Sequence, residues 1–298
     1  MKSIAHLSDL HFGTEDKAVL AALLGDLDGV TAPKPTLVAI SGDLTQRARE
    51  KQFRAARHFL DQLLIPYIVV PGNHDVPLFD VFRRLSNPLE LYRQYITEDL
   101  APVFMDDELA VMGVTTAHGL TRKHGRITRA MADHVCQTLS ASAAPWKILV
   151  AHHPFIIPHG VHEPPVRGAD FALPQLEQCG VDVILCGHMH VSHASDTAGF
   201  RSADRKVICV AAGTAISTRL RGEPNSYNRL SIDGEVLTVC HRVWDGARFV
   251  DGPAKTYRRL EQGGDVRMAK LAQHGVPSES RLPLAEPRPS SGEGRSRY

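Results

Sequence analysis

The sequence predicts an α/β protein, and two observations carry that expectation. Short apolar runs alternate with longer segments of helical spacing, and most of the runs end in polar or glycine-containing turns. Residues 4–7 read as the first strand and residues 17–27 as a helix, with Ala18, Leu20, Ala21, Leu23 and Leu24 as its apolar positions. Residues 37–40 form the second strand. Residues 50–64 put Phe53, Ala56, Phe59, Leu60 and Leu63 on one face, the pattern of an amphipathic helix that Pro66 ends. Strands follow at 67–70, 110–114, 147–150, 182–185 and 207–210, with helices at 128–139 and 173–179. Residues 228–232 and 236–243, joined through Asp233-Gly234, give the strongest hairpin signal.

Two segments break this rhythm: an insertion at 77–103 and a Pro- and Gly-containing loop at 155–171. Periodicity fades after Gly263, and residues 275–298 are rich in Pro, Ser, Gly, Glu and Arg. The expected division is a catalytic domain over 1–262 and a disordered tail over 263–298.

Composition narrows the classes without naming a partner. With 43% hydrophobic and 22% charged residues and a net charge of +1, the chain lacks the basic footprint of a nucleic-acid binder, so no nucleic-acid polymer is expected. No apolar run approaches the roughly 20 residues of a membrane span. The chemically loaded Asp9-Leu10-His11 comes too early to leave room for a signal peptide, which points to the cytoplasm. Cys136, Cys179, Cys186, Cys209 and Cys240 are odd in number and widely spaced, and are expected as buried reduced thiols. The anomaly is histidine, with 16 residues, many beside Asp, Asn, Gly or another His.

Five short clusters concentrate the chemistry: Asp9-Leu10-His11, Gly42-Asp43, Gly72-Asn73-His74-Asp75, His152-His153-Pro154 and Gly187-His188-Met189-His190. Singly each is weak, since Gly-Asp is a common turn and an isolated histidine is more often core or surface than ligand. Together they share one property: each directly follows an expected strand. The carboxyl ends of neighbouring strands in an α/β sheet gather on one edge, so residues far apart in sequence would meet there. Imidazole, carboxylate and amide donors suit Mn, Fe, Zn or Co better than Ca or Cu. Two such ions, about 3.5–4 Å apart across a shared carboxylate, would neutralise a phosphate ester and lower the pKa of a bound water for attack.

These clusters resemble the signature of the calcineurin-like metallophosphoesterase superfamily, D-x-H, G-D, G-N-H-D/E, H and G-H-x-H, over roughly residues 1–242. The resemblance implies a four-layer αββα sandwich with two mixed β-sheets and the site between them. It implies Asp9, His11 and His190 on one transition-metal ion (Mn, Fe or Zn), Asn73, His152 and His188 on a second, and Asp43 as the bridge. His74 would be catalytic rather than a ligand, stabilising the phosphate or protonating the departing oxygen. His152 is favoured over His153, which would then sit behind the ligands or pack. Asp75 either orients His74 or closes its own turn. His6 reads as packed, and His118, His124, His159 and His162, with Arg122, Arg126 and Arg167, are loop candidates for lining a substrate pocket.

Within the superfamily the chain is most similar to bacterial class III cyclic nucleotide phosphodiesterases and glycerophosphodiesterases. Shared features are the Ser8–His11 opening, the Pro71–Asp75 run, the His152–Pro154 turn and Gly213-Thr214. Val114-Thr115-Thr116-Ala117 stands where these relatives often carry an Asp, which leaves the substrate open. A metal-dependent diesterase acting on a cyclic nucleotide or small phosphodiester is expected. Pyrophosphate or monoester hydrolysis and a non-catalytic scaffold are the alternatives.

Overall fold

The computed structural model describes residues 1–157, 163–197, 206–262 and 265–274. The first half runs β1 (Lys2–Leu7), α1 (Lys17–Leu27), β2 (Leu37–Ile40), α2 (Glu50–Gln62) and β3 (Tyr67–Val69), then α3 (Val81–Ser86) and α4 (Glu90–Tyr95). It continues through β4 (Val103–Met105), β5 (Leu109–Gly113), α5 (Arg129–Ser140), β6 (Trp146–Val150) and α6 (Ala169–Gln178). The chain then adds β7 (Val183–Cys186), β8 (His193–Asp196), β9 (Ile208–Ala211), β10 (Ser226–Asp233), β11 (Val236–Trp244), β12 (Phe249–Gln262) and β13 (Asp265–His274).

Two mixed sheets result. One has the order β13-β12-β11-β10-β1-β2-β3 and the other β4-β5-β6-β7-β9-β8. β1, β2 and β3 are parallel, as are β5, β6, β7 and β9, so their carboxyl ends point the same way within each sheet. Side-chain alternation sorts the strands into layers. Ile4, Leu37, Ala39, Val111, Ile148, Val183 and Val210 face inward and fill the space between the sheets. Ala5, Leu7, Val38 and Ile40 face outward and are covered by α1 and α2 through Leu23, Leu27, Phe53 and Phe59. Ala110, Met112, Leu149 and Ile184 meet α5 and α6 through Val135, Leu139 and Leu176. This is the expected αββα order, with strands apolar on both faces because both faces are covered.

Local chemistry sets the ends. The Asp16 carboxylate accepts from the first-turn amides of Ala18 and Val19 and starts α1. At its far end the buried Asp26 carboxylate takes both Nη2 and Nε of Arg242 and the Tyr227 hydroxyl, tying α1 to β10 and β11.

Two expectations change, and the inserted segment gains definition. Asp265–His274, expected as tail, pairs antiparallel with β12 as an edge strand; residues 275–298 lie outside the described residues. The insertion 77–103 carries α3, α4 and the edge strand β4. Cys136 and Cys179 are disulfide-bonded, Cα to Cα 5.4 Å, rather than reduced, because α5 and α6 pack side by side and bring together positions 43 residues apart. Cys186 and Cys209 are free and buried, and Cys240 is free and partly exposed. Among the described residues no helix is long and apolar enough to cross a membrane.

Candidate metal centre

All seven expected donors converge where β1, β2, β3, β6 and β7 end. The backbone there is unusual. Among the described residues, six non-glycine positions have positive φ, and five of them are Asp9, His11, Asp43, His188 and His190, with φ between 47° and 74°. Left-handed backbone is costly for residues with a Cβ, and its concentration at one edge marks a constellation held in place by its surroundings.

Each imidazole is fixed from behind. Nδ1 of His11 donates to the Thr45 carbonyl at 3.3 Å, Nδ1 of His152 donates to the Ser41 carbonyl at 2.8 Å, and Nδ1 of His190 pairs with the Thr214 hydroxyl at 2.6 Å. In all three this turns Nε2 toward the site. His188 is reversed: its Nε2 lies 3.2 Å from Glu163 Oε2, and its Nδ1 faces inward, 2.9 Å from Asn73 Oδ1. Hydrogen bonds of this kind select the tautomer that leaves a lone pair for a metal.

Two donor groups form around Asp43. Asp9 Oδ1 lies 3.5 Å from Nε2 of both His11 and His190. Asn73 Oδ1 lies 3.2 Å from His152 Nε2 and 2.9 Å from His188 Nδ1. Asp43 stands between them, with Oδ1 3.4 Å from His152 Nε2 and Oδ2 3.7 Å from His11 Nε2. Buried Asp9 Oδ1 has no hydrogen-bond partner of its own. A buried carboxylate oxygen facing two imidazole lone pairs is satisfied by a cation, so the donor set fits metal ions on chemical grounds.

The same groups shift one another's proton affinities. Burial pushes the Asp43 carboxyl up, but His152, His74 and His11 outweigh it and hold Asp43 well below the usual carboxylate range. His152 is disfavoured as a cation by burial, yet the carboxylates of Asp43 and Asp9 push it up to about 9. His190, where burial dominates, is lowered to about 4.

Geometry bears on two open choices. His153 has both ring nitrogens engaged, Nδ1 with the Thr116 hydroxyl at 2.8 Å and Nε2 with the Lys123 carbonyl at 3.0 Å, although it clusters with His152 and His188. Asp75 accepts from the amides of Gly72, Leu44 and Thr45, at 2.9, 3.1 and 2.8 Å, and so closes the loops rather than orienting the His74 ring. Burial and the nearby Asp43 raise its carboxyl to about 6. Gly42, at φ +98°, packs against His152 and Gly72, and Gly72 in turn lies against Asp43; neither place admits a Cβ.

His74 lies at the edge, its ring 4.7 Å from that of His11, beside a cavity of about 240 Å³. Gln46, Arg47, Lys123, Arg219 and Arg221 also line this cavity and were not singled out by sequence; Arg122 was. Gly213-Thr214, noted as a feature shared with the similar phosphodiesterases, is the signal that could have led to Arg219 and Arg221. Among the other candidates, His6 packs with Nε2 2.9 Å from the Ser41 hydroxyl. Arg126 and Arg167 bound a separate surface depression. His118 accepts from the Leu120 amide through Nδ1, and His159 and His162 lie outside the described residues.

The calcineurin-like phosphoesterase family pattern matches residues 2–192, which contain the whole span from Asp9 through His190. The chain belongs to that family. Among relatives, this calcineurin-like phosphoesterase is 29% identical to a glycerophosphodiester phosphodiesterase of Enterobacter lignolyticus over 36% of this chain and 44% of that protein. The match therefore spans less than half of that relative. It is 26% identical to a probable cyclic nucleotide phosphodiesterase of Synechococcus sp. over 63% of this chain and 73% of that one. The solved structure of PhoD superposes with a TM-score of 0.65 at 13% identity, covering 93% of this chain and 72% of PhoD, which shows the shared metallophosphoesterase fold.

Proposed function

We propose that this calcineurin-like phosphoesterase is a two-metal phosphodiesterase acting on a cyclic nucleotide or another small phosphodiester. The observation that carries the proposal is one carboxylate, Asp43, facing His11 on one side and His152 on the other. Asp9, His11 and His190 would hold one ion and Asn73, His152 and His188 the other, with Asp43 shared between the two donor groups. Mn, Fe or Zn suits these donors. When bound, the ions neutralise phosphate oxygens and lower the pKa of water for in-line attack.

The chain's own groups orient the ester and manage its protons. Nδ1 of His74 donates to the Gln46 carbonyl at 2.8 Å, which aims Nε2 at the cavity. With Arg219 drawn to the phosphate, Nε2 of His74 is freed to take up a proton from solvent and would pass it to the departing oxygen. Arg219 Nη1, 3.2 Å from that nitrogen, is positioned to take a phosphate oxygen as the ester seats. A cavity of about 240 Å³ suits a small ester. The names of the two relatives support a diester over a monoester.

A substrate panel tests this. Protein loaded with Mn should hydrolyse bis(p-nitrophenyl) phosphate and at least one of cyclic AMP and the glycerophosphodiesters. Activity confined to monoesters or pyrophosphates would overturn it.

A further inference from the structure

Five cations line the cavity, Arg47, Arg122, Lys123, Arg219 and Arg221. A phosphodiester carries one negative charge, and two metal ions with Arg219 already answer it. Lys123 and Arg221 are turned elsewhere. Lys123 Nζ lies 2.6 Å and Arg221 Nη1 3.3 Å from one oxygen of Glu163, whose other oxygen meets His188 Nε2 at 3.2 Å. The carboxylate is 14% exposed, while the two cations are 47% and 45% exposed. An internal anion is thus seated in a cationic cradle that opens to solvent. A single imidazole, His188, separates this cradle from the Asn73 donor group.

We propose that Lys123 and Arg221, with Arg122 beside them, form a second anion subsite that Glu163 occupies in this structure and that receives a further phosphate group of the substrate. The inference rests on the diesterase reading and narrows it to diesters that carry an additional phosphate a short spacer away from the scissile one. A phosphate dianion offers more charge and more acceptor oxygens than a carboxylate, so it displaces Glu163 from the same two donors. Without a second phosphate, Glu163 stays in place and keeps the two cations from binding the scissile group out of register.

Isothermal titration of the Mn-loaded full chain with propane-1,3-diol phosphate and propane-1,3-diol bisphosphate tests the subsite. The bisphosphate should bind about tenfold tighter or better, and Lys123→Ala/Arg221→Ala should bring the ratio of affinities to within about twofold. Glu163→Gln, which removes the internal competitor while keeping the shape, should increase the ratio by roughly threefold. Equal binding of the two compounds by the wild-type chain, or a ratio that falls in Glu163→Gln, would overturn the proposal. Because the ratio is read from binding heats, a chain that shows it but cleaves no diester contradicts the diesterase reading alone. A chain that cleaves diesters but binds both compounds equally contradicts the subsite alone.

Discussion

Asp43 reaches two histidines with its two oxygens: Oδ1 lies 3.4 Å from His152 Nε2 and Oδ2 lies 3.7 Å from His11 Nε2. Those histidines belong to different donor groups, so both groups depend on one carboxylate. Asp43→Ala should lower retained metal after gel filtration from about two equivalents to less than about one. Elemental analysis of the purified chain gives the count, and full retention would show that the carboxylate bridges nothing.

The Gly42 and Gly72 backbones interlock beneath this carboxylate. A Cβ at Gly72 would collide with the Asp43 side chain and amide, and one at Gly42 would meet His152 Nδ1 at 2.8 Å in a left-handed backbone. Either change to Ala should cost about 1–3 kcal/mol and reduce metal retention at the same time. Thermal melting followed by metal analysis checks both. A variant that melts like wild type with its metal intact would refute the packing account.

His153 separates structure from ligation. With Thr116 and the Lys123 carbonyl holding both nitrogens, His153→Gln should retain about two equivalents of metal while losing about 1–3 kcal/mol of stability. Loss of one metal equivalent without loss of stability would make His153 a ligand after all.

How much of this was legible follows from where each residue sits. Asp9, Asp43, His152 and His188 could be found because each comes two or three residues after a strand whose apolar run is unmistakable. The sheets' parallel order then brings those ends together without any knowledge of side-chain contacts. Choosing His152 over His153 was different, since the choice turns on the loop at Thr116 and Lys123, whose path no periodicity encodes. Asp75 gave no sign of facing Leu44 and Thr45 rather than its neighbour His74, because that depends on how two loops cross. Glu163, Lys123 and Arg221 come from three loops and meet only in space. The Cys136–Cys179 pair likewise depends on α5 packing against α6, a tertiary fact.

Two histidines outside the donor set contribute an acid limit on the fold. Burial lowers His6 to about 3 and His241 to about 4, from ordinary values near 6.5. Between those folded values and 6.5 the unfolded chain binds protons that the folded chain does not, so stability is full above about pH 6.5 and falls as the pH drops. For His241 the loss reaches at most about 3 kcal/mol by pH 4. His241→Gln should therefore flatten the stability profile between pH 6.5 and 4, measured by urea unfolding. A slope identical to wild type would place His241 in solvent.

The most direct test of the central claim compares wild type with His74→Ala in hydrolysis of bis(p-nitrophenyl) phosphate, with metal content measured on the same samples. His74 Nε2 faces the cavity, which Asp43, Asn73, His188 and His190 also line. Metal-dependent turnover is expected in the wild type. His74→Ala should keep about two equivalents of metal and lose roughly 10²- to 10⁴-fold in kcat. Turnover that survives metal removal, or a His74→Ala chain as active as wild type with its metal in place, would contradict it.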